Sequence, residues 1–126
     1  MKLKFSKTWN QSKQPRKQRK YRHNAPLHTK NKFLSAHLSK PLREKYKKRS
    51  ATIRRGDTVK VLRGQFKKKT GKIDRIDLKK TKAYIAGIEV TKRDGTKTFY
   101  PFNPSNLIIT ELDLDDKKRV KSLERK

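Results

Sequence analysis

The stretch RRGDTVKVLRGQFKKKTGKI, from Arg54 to Ile73, alternates and then breaks. Val59 and Val61 fall on one side of an extended chain, with Thr58, Lys60 and Leu62 on the other, which is the period of a half-buried strand. A loop carrying Arg63, Lys67, Lys68 and Lys69 follows, and Gly71 restarts the extended pattern. A period of two, not 3.6, around a cationic turn predicts a small sheet that presents positive charge at one of its turns.

Downstream the period persists. Candidate strands are 58–62, 70–78, 82–88, 96–101 and 106–111, separated by the basic loop, by LKKTK, by KRDG and by PFNPSN. Asp94-Gly95 is a hairpin-turn pair. Ile73, Ile76 and Leu78 change parity within the second candidate, which predicts a bulge. Short strands with tight turns and no intervening helices predict a mainly β fold, a small barrel or curled sheet over 53–112, and exclude a doubly wound architecture.

Upstream, residues 1–33 read as an extended basic arm, because Pro15 and Pro26 are unfavourable inside helices and little apolar surface is present to bury. Trp9 and Tyr21 sit among its charges, suited either to packing on the domain or to stacking on an unpaired base. Residues 34–52 read as a short helix and linker: Ser39 is a candidate cap, Pro41 suits a first turn, and Leu38, Leu42 and Tyr46 recur every four residues. Residues 113–126 read as a C-terminal helix, with Asp113, Asp115 and Asp116 at its start and Lys117, Lys118, Arg119, Arg125 and Lys126 after them, an order that suits the helix dipole.

Composition narrows the partners. The 126 residues include 38 Lys and Arg against 11 Asp and Glu, a formal net charge of +27. Residues 1–52 hold 17 of the bases and a single acid, Glu44. Self-repulsion on this scale opposes compaction unless a polyanion neutralises it, so nucleic acid is the first candidate partner. An anionic membrane surface needs a basic helix with an apolar face, and Lys13 to Arg22 has no apolar stripe. No stretch approaches a membrane span, MKLKFSKTW lacks the apolar core of a secretory signal, and there are no cysteines for disulfides or thiolate metal sites. A cytoplasmic protein without metal, cofactor, small-molecule substrate or homo-oligomeric assembly is the expectation.

Catalytic patterns fail on inspection. Gly64 and Gly71 are separated by six residues, and Ile73 follows Lys72, whereas a nucleotide-binding phosphate loop needs four residues and a Ser or Thr. Asp74 and Asp77 are spaced to face opposite sides of a strand and read as charge balance. His23, His28 and His37 do not have zinc-site spacing. An enzyme is not expected. What remains is the ridge of Arg63, Lys67, Lys68 and Lys69, flanked by Arg54, Arg55 and Lys72, which suits phosphates. Phe66 in that loop reads as a plug turned into the core.

IRRGDTVKVLRGQFKKKTGKIDRIDLKKTKAYI resembles a KOW motif, and the flanks SKQPRKQRK, NAPLH, SAHLSKPLREKY and NPSNLIITELDL follow in order. Together they resemble the large-subunit ribosomal protein family numbered twenty-four in bacteria and archaea and twenty-six in eukaryotes, in its archaeal and eukaryotic branch, from about Ser12 to the C-terminus. The resemblance implies an SH3-like barrel whose loop and arm bind large-subunit rRNA near its 5′ region early in assembly. It also implies a place on the outer surface near the peptide exit tunnel, beside neighbouring large-subunit proteins. Carried over by position, the rRNA contacts are Lys13, Arg16, Lys17, Arg19, Lys20 and Arg22 in the arm, and Arg54, Arg55, Arg63, Lys67, Lys68, Lys69 and Lys72 in the motif, with Gly71 its hallmark glycine. Two positions depart from the pattern: Lys68 stands where a glycine is common, and Asn103 where a histidine is usual. The first eleven residues lie outside the match. A KOW-type transcription-elongation module contacting RNA polymerase or nascent RNA is the competing reading. On the ribosomal reading, a cut at Thr52 should leave a folded barrel with much weaker rRNA affinity.

Overall fold

The computed structural model describes residues 5, 6, 8, 9 and 11–125. Most of the N-terminal stretch MKLKFSKTW and the final base, Lys126, lie outside the described residues. The elements in chain order are α1 (Pro15–Asn24), α2 (Leu27–Phe33), β1 (Ser35–Leu38), α3 (Lys40–Tyr46), β2 (Ser50–Thr52), β3 (Thr58–Val61), β4 (Thr70–Asp77), β5 (Lys82–Ile85), β6 (Glu89–Thr91), β7 (Lys97–Phe99), a 3-10 turn (Pro104–Asn106), β8 (Leu107–Glu111) and α4 (Lys117–Glu124).

Six strands form one mixed sheet in the order β2-β1-β8-β3-β4-β5, and β6 pairs with β7 separately. Val59 and Val61 are fully buried while Lys60 is exposed, as the alternation requires. Their layer continues through Ile73, Ala83, Ile85, Ile88, Phe102, Leu107 and Ile109. The pairing of β4 with β5 shifts register between Ile73 and Arg75, where the parity change predicts a bulge. Gly95 has φ +83 in the β6–β7 turn, and the Lys92 and Thr96 backbones close that hairpin with a 2.8 Å bond.

Among the described residues the ladder does not close into a barrel, yet it must curl. Phe102 exchanges backbone hydrogen bonds of 3.0 and 2.8 Å with Ala83 on the free edge of β5, and five residues later Leu107 opens β8 on the far side of β3. A flat sheet would separate those positions by four strand spacings, roughly 19 Å. Five residues that include a 3-10 turn reach only about 13 Å. The strands therefore bend around the buried side chains.

Two sequence expectations need correction. The arm is not extended over 15–33, because it contains α1 and α2. Pro15 occupies the first turn of α1 and Pro26 is the residue before α2, positions where the missing N–H costs nothing. The Arg, Lys and Gln that fill α1 are themselves good helix formers. The helix expected from residue 34 is confined to Lys40–Tyr46 and flanked by two strands. β1 runs parallel to β8 and antiparallel to β2, and Leu34, Ala36 and Leu38 join the core. Ser39 holds the N-cap position of α3 without a side-chain bond; its carbonyl accepts from Arg43 N at 2.9 Å.

Candidate nucleic-acid interface

The loop between β3 and β4 is held rigidly by its own backbone. Val61 N donates to Lys69 O and Lys68 N to Val61 O, both at 2.9 Å, and Leu62 N reaches Asn106 O at 2.8 Å. Phe66 turns inward as a plug, with its ring 5.1 Å from Tyr100 and 6.0 Å from Phe102, so the hydrophobic anchor leaves the cations outside. Arg63, Lys67, Lys68 and Lys69 are all exposed, and Lys69 Nζ lies 5.2 Å over the Phe66 ring. Lys68 has φ +73, a left-handed conformation that glycine adopts without strain and that costs other residues roughly 1–2 kcal/mol. The lysine there adds a charge at the expense of local backbone comfort.

The cationic ridge is not one cluster. Arg54 and Arg55 precede β3, so they lie at its other end from the loop, about 13 Å away along four residues of strand. Lys72 pairs with Thr58 at that same end. Between the two groups stands Lys60, exposed on the outer face opposite Thr70. The sequence reading left Lys60 out of the candidate set although the alternation of β3 already turned it outward. With it, the loop and the Arg54–Arg55 turn become one stripe along β3 and β4.

Gly71 owes its place to packing. Its backbone is not in the left-handed region, but a Cβ there would stand 2.6 Å from Ile85 Cγ2 and 3.1 Å from Ala86 O. The absence of a side chain lets β5 cross close to β4 beside the bulge.

On α1, Arg16, Arg19 and Lys20 share a face by their i, i+3 and i+4 spacing, and all are exposed. Lys13, Lys17 and Arg22 are exposed as well. Opposite that face, Tyr21 is flanked by Trp9 at 4.3 Å and Phe5 at 4.8 Å, with Phe33 edge-on at 6.1 Å.

Acids and bases divide their work. Among the described residues the ion pairs are Arg119–Asp57 and Arg54–Asp116. Asp57, Asp77, Asp94, Glu111, Asp113 and Asp116 all accept hydrogen bonds from within the chain. The hydrogen bond from Arg54, helped by Lys118 N at the start of α4, holds the Asp116 carboxyl below its usual range. Arg54 is thus the one candidate cation, among the described residues, already facing a carboxylate. The other described candidate cations point outward without an acidic partner. Such an arrangement suits polyanions, and among the described residues no group of three or more His, Cys, Asp or Glu is placed to hold a metal ion. No helix there is long and apolar enough to cross a membrane.

Known proteins share this sequence closely. A family model that describes the ribosomal proteins called L26 in eukaryotes and L24 in archaea matches residues 12–126. The chain is 45% identical over 115 residues to the large ribosomal subunit protein uL24 of Methanosphaera stadtmanae, covering 91% of this chain and 98% of the relative. It is 51% identical over 114 residues to the large ribosomal subunit protein uL24 of Methanothrix thermoacetophila, covering 90% and 98%.

Proposed function

Because the chain belongs to the family of eukaryotic L26 and archaeal L24 ribosomal proteins, we propose that it is a structural, non-enzymatic constituent of the large ribosomal subunit that binds large-subunit rRNA directly. The observation that carries the rRNA reading is the division of charge: six of the eleven acids accept hydrogen bonds within the chain, while among the described residues the cations of α1, the β3–β4 loop and the outer face of β3–β4 form no ion pair. Each phosphate bound by such a cation releases condensed counterions, which drives association at low salt. The curled sheet serves as an SH3-like KOW support that fixes the stripe, and the α1 cations extend its reach. Contact with the rRNA 5′ region, an early role in assembly, a cytoplasmic site on the outer surface near the exit tunnel and neighbouring large-subunit proteins complete the proposal, all drawn from the family resemblance.

Binding of the purified chain to a large-subunit rRNA 5′ fragment, measured against salt, tests it. Replacing Lys67, Lys68 and Lys69 by Gln should lower the slope of log affinity against log salt by roughly 0.7–0.9 for each phosphate that goes unbound. An unchanged slope, or copurification with RNA polymerase in place of large subunits, would overturn the reading.

A further inference from the structure

The aromatic group beside α1 has a role that neither the core nor the charge stripe explains. Trp9, Tyr21, Phe33, Arg22, Gln18 and Ser12 line an open cleft of about 420 Å³. Tyr21 is flanked by Phe5 and Trp9, each within 30° of coplanar with it. All four aromatic rings are half-buried. One face of the indole is covered by Tyr21, and Trp9 also lines the cleft. No acid precedes Glu44 in the chain, so the sequence neighbours of these rings include bases and no acid.

We propose that the open face of Trp9 is a stacking platform for one unpaired RNA nucleobase, with a phosphate beside that base held by Arg22. The site rests on the rRNA-binding reading above and adds a particular contact to it. Four features select a nucleotide. The Phe5–Tyr21–Trp9 group is already assembled, so a base added to it imposes little further ordering. Every base has a π face, and single-stranded RNA is recognised largely through such stacking. Arg22 has its guanidinium carbon 6.0 Å from the Phe33 ring centroid, placing a phosphate donor at the cleft wall. Finally, Gln18 Nε2 donates to Ser12 O at 2.7 Å and Ser12 Oγ accepts from Gln14 N at 3.2 Å. That leaves Gln18 Oε1 to accept and the Ser12 hydroxyl to donate toward a base edge.

Trp9 is the single tryptophan, so intrinsic emission of the full chain reports on this position alone. The probes are a short single-stranded oligoadenylate and, as a base-free polyanion, inorganic polyphosphate at matched charge. Binding of both is followed independently by displacement of a labelled rRNA fragment. Oligoadenylate should quench the tryptophan strongly, and polyphosphate should bind with little quenching. Affinity for labelled oligoadenylate should fall by roughly 5- to 150-fold in Trp9→Leu, the range for one base–aromatic contact, and stay near the parent value in Trp9→Phe. Leucine keeps an apolar side chain against Tyr21 but has no π face, so equal affinity of Trp9→Leu and the parent would overturn the platform. So would binding of oligoadenylate without quenching, or equal quenching by polyphosphate; both leave the rRNA-binding reading standing. Failure of the parent chain to bind the rRNA fragment at all would overturn that reading and the platform with it.

Discussion

Asp57 collects five hydrogen bonds in the core end of the turn before β3. Its carboxylate takes Arg119 Nη1 and Nη2 at 2.6 Å each, Arg54 N at 2.8 Å and Asp113 N at 3.0 Å, while its backbone carbonyl accepts from Ile73 N at 2.9 Å. Arg119 also donates to Asp113 O at 2.7 Å and Thr52 O at 3.2 Å. Both side chains are buried, and no buried side-chain polar atom among the described residues is left without a partner. Taking two charges out of water costs several kcal/mol per ion, and only good geometry with full hydrogen bonding offsets it. Removing one partner strands the other, so Asp57→Ala and Arg119→Ala should each destabilise by roughly 3–5 kcal/mol in urea unfolding. The apolar double variant Asp57→Leu with Arg119→Met should recover only part of that loss. It abolishes the stranded charge but leaves the N–H groups of Arg54 and Asp113 and the carbonyls of Thr52 and Asp113 to find other partners. Single variants that cost under about 1 kcal/mol would show the pair to be dispensable. None of this was legible in the sequence: the partners are 62 residues apart, and Arg119 reads as one more base among Lys117 and Lys118.

At the scale of elements, what could be read was what alternation or a turn pair encodes locally. β3, β4 with its bulge and the Asp94-Gly95 hairpin followed from neighbours in sequence. β1 and β2 did not, because SAHL and SAT are too short to show a period, and Leu38 fell into a spurious four-residue repeat with Leu42 and Tyr46. β1 is anchored on β8, a partner about seventy residues away that no local window contains, and β2 pairs with β1 in turn. The C-terminal helix was legible in kind, and its start is sharper than the charge pattern implied. Asp116 is the N-cap, accepting from Lys118 N at 2.8 Å while also pairing with Arg54. Its carboxyl is held below the usual range by the Arg54 and Lys118 bonds. A lowered folded-state value means the contribution is fully present above the unfolded carboxyl value of about 4 and is lost as pH falls through the folded one. Acidification should therefore fray the first turn of α4, read as loss of the Lys118 amide's downfield position in an NMR titration. Asp116→Asn, which retains a capping oxygen without the charge, should remove the titration but keep the turn. If the Lys118 resonance titrates identically in that variant, Asp116 does not control the helix start.

For the whole molecule the question is where the fold ends and the RNA-binding appendage begins. The sequence reading put that border at Thr52, where the period changes. Packing puts it earlier. Leu34, Ala36 and Leu38 are buried in the same core as Val59 and Ile109, Ile53 N donates to Leu34 O at 3.0 Å, and Arg119 bonds Thr52 O. A chain beginning at Ile53 would lose β1 and β2, expose the edge of β8 and leave a hole where two leucines sit; deleting one buried leucine side chain alone typically costs about 2–5 kcal/mol. By contrast α1 has no buried residue, and α1 with the Phe5–Trp9–Tyr21 stack can be removed without touching a strand. A chain of residues 27–126 should then melt cooperatively, whereas residues 53–126 should lack a cooperative transition under the same buffer. The shorter deletion should bind the rRNA fragment more weakly and with a flatter salt dependence, by roughly 0.7–0.9 per α1 cation that meets a phosphate. This comparison separates two roles that net charge of +27 blends together. If residues 53–126 melt as cooperatively as residues 27–126, the first two strands are ornament to the fold. If residues 27–126 keep the parent's salt slope, α1 carries none of the phosphate contacts assigned to it.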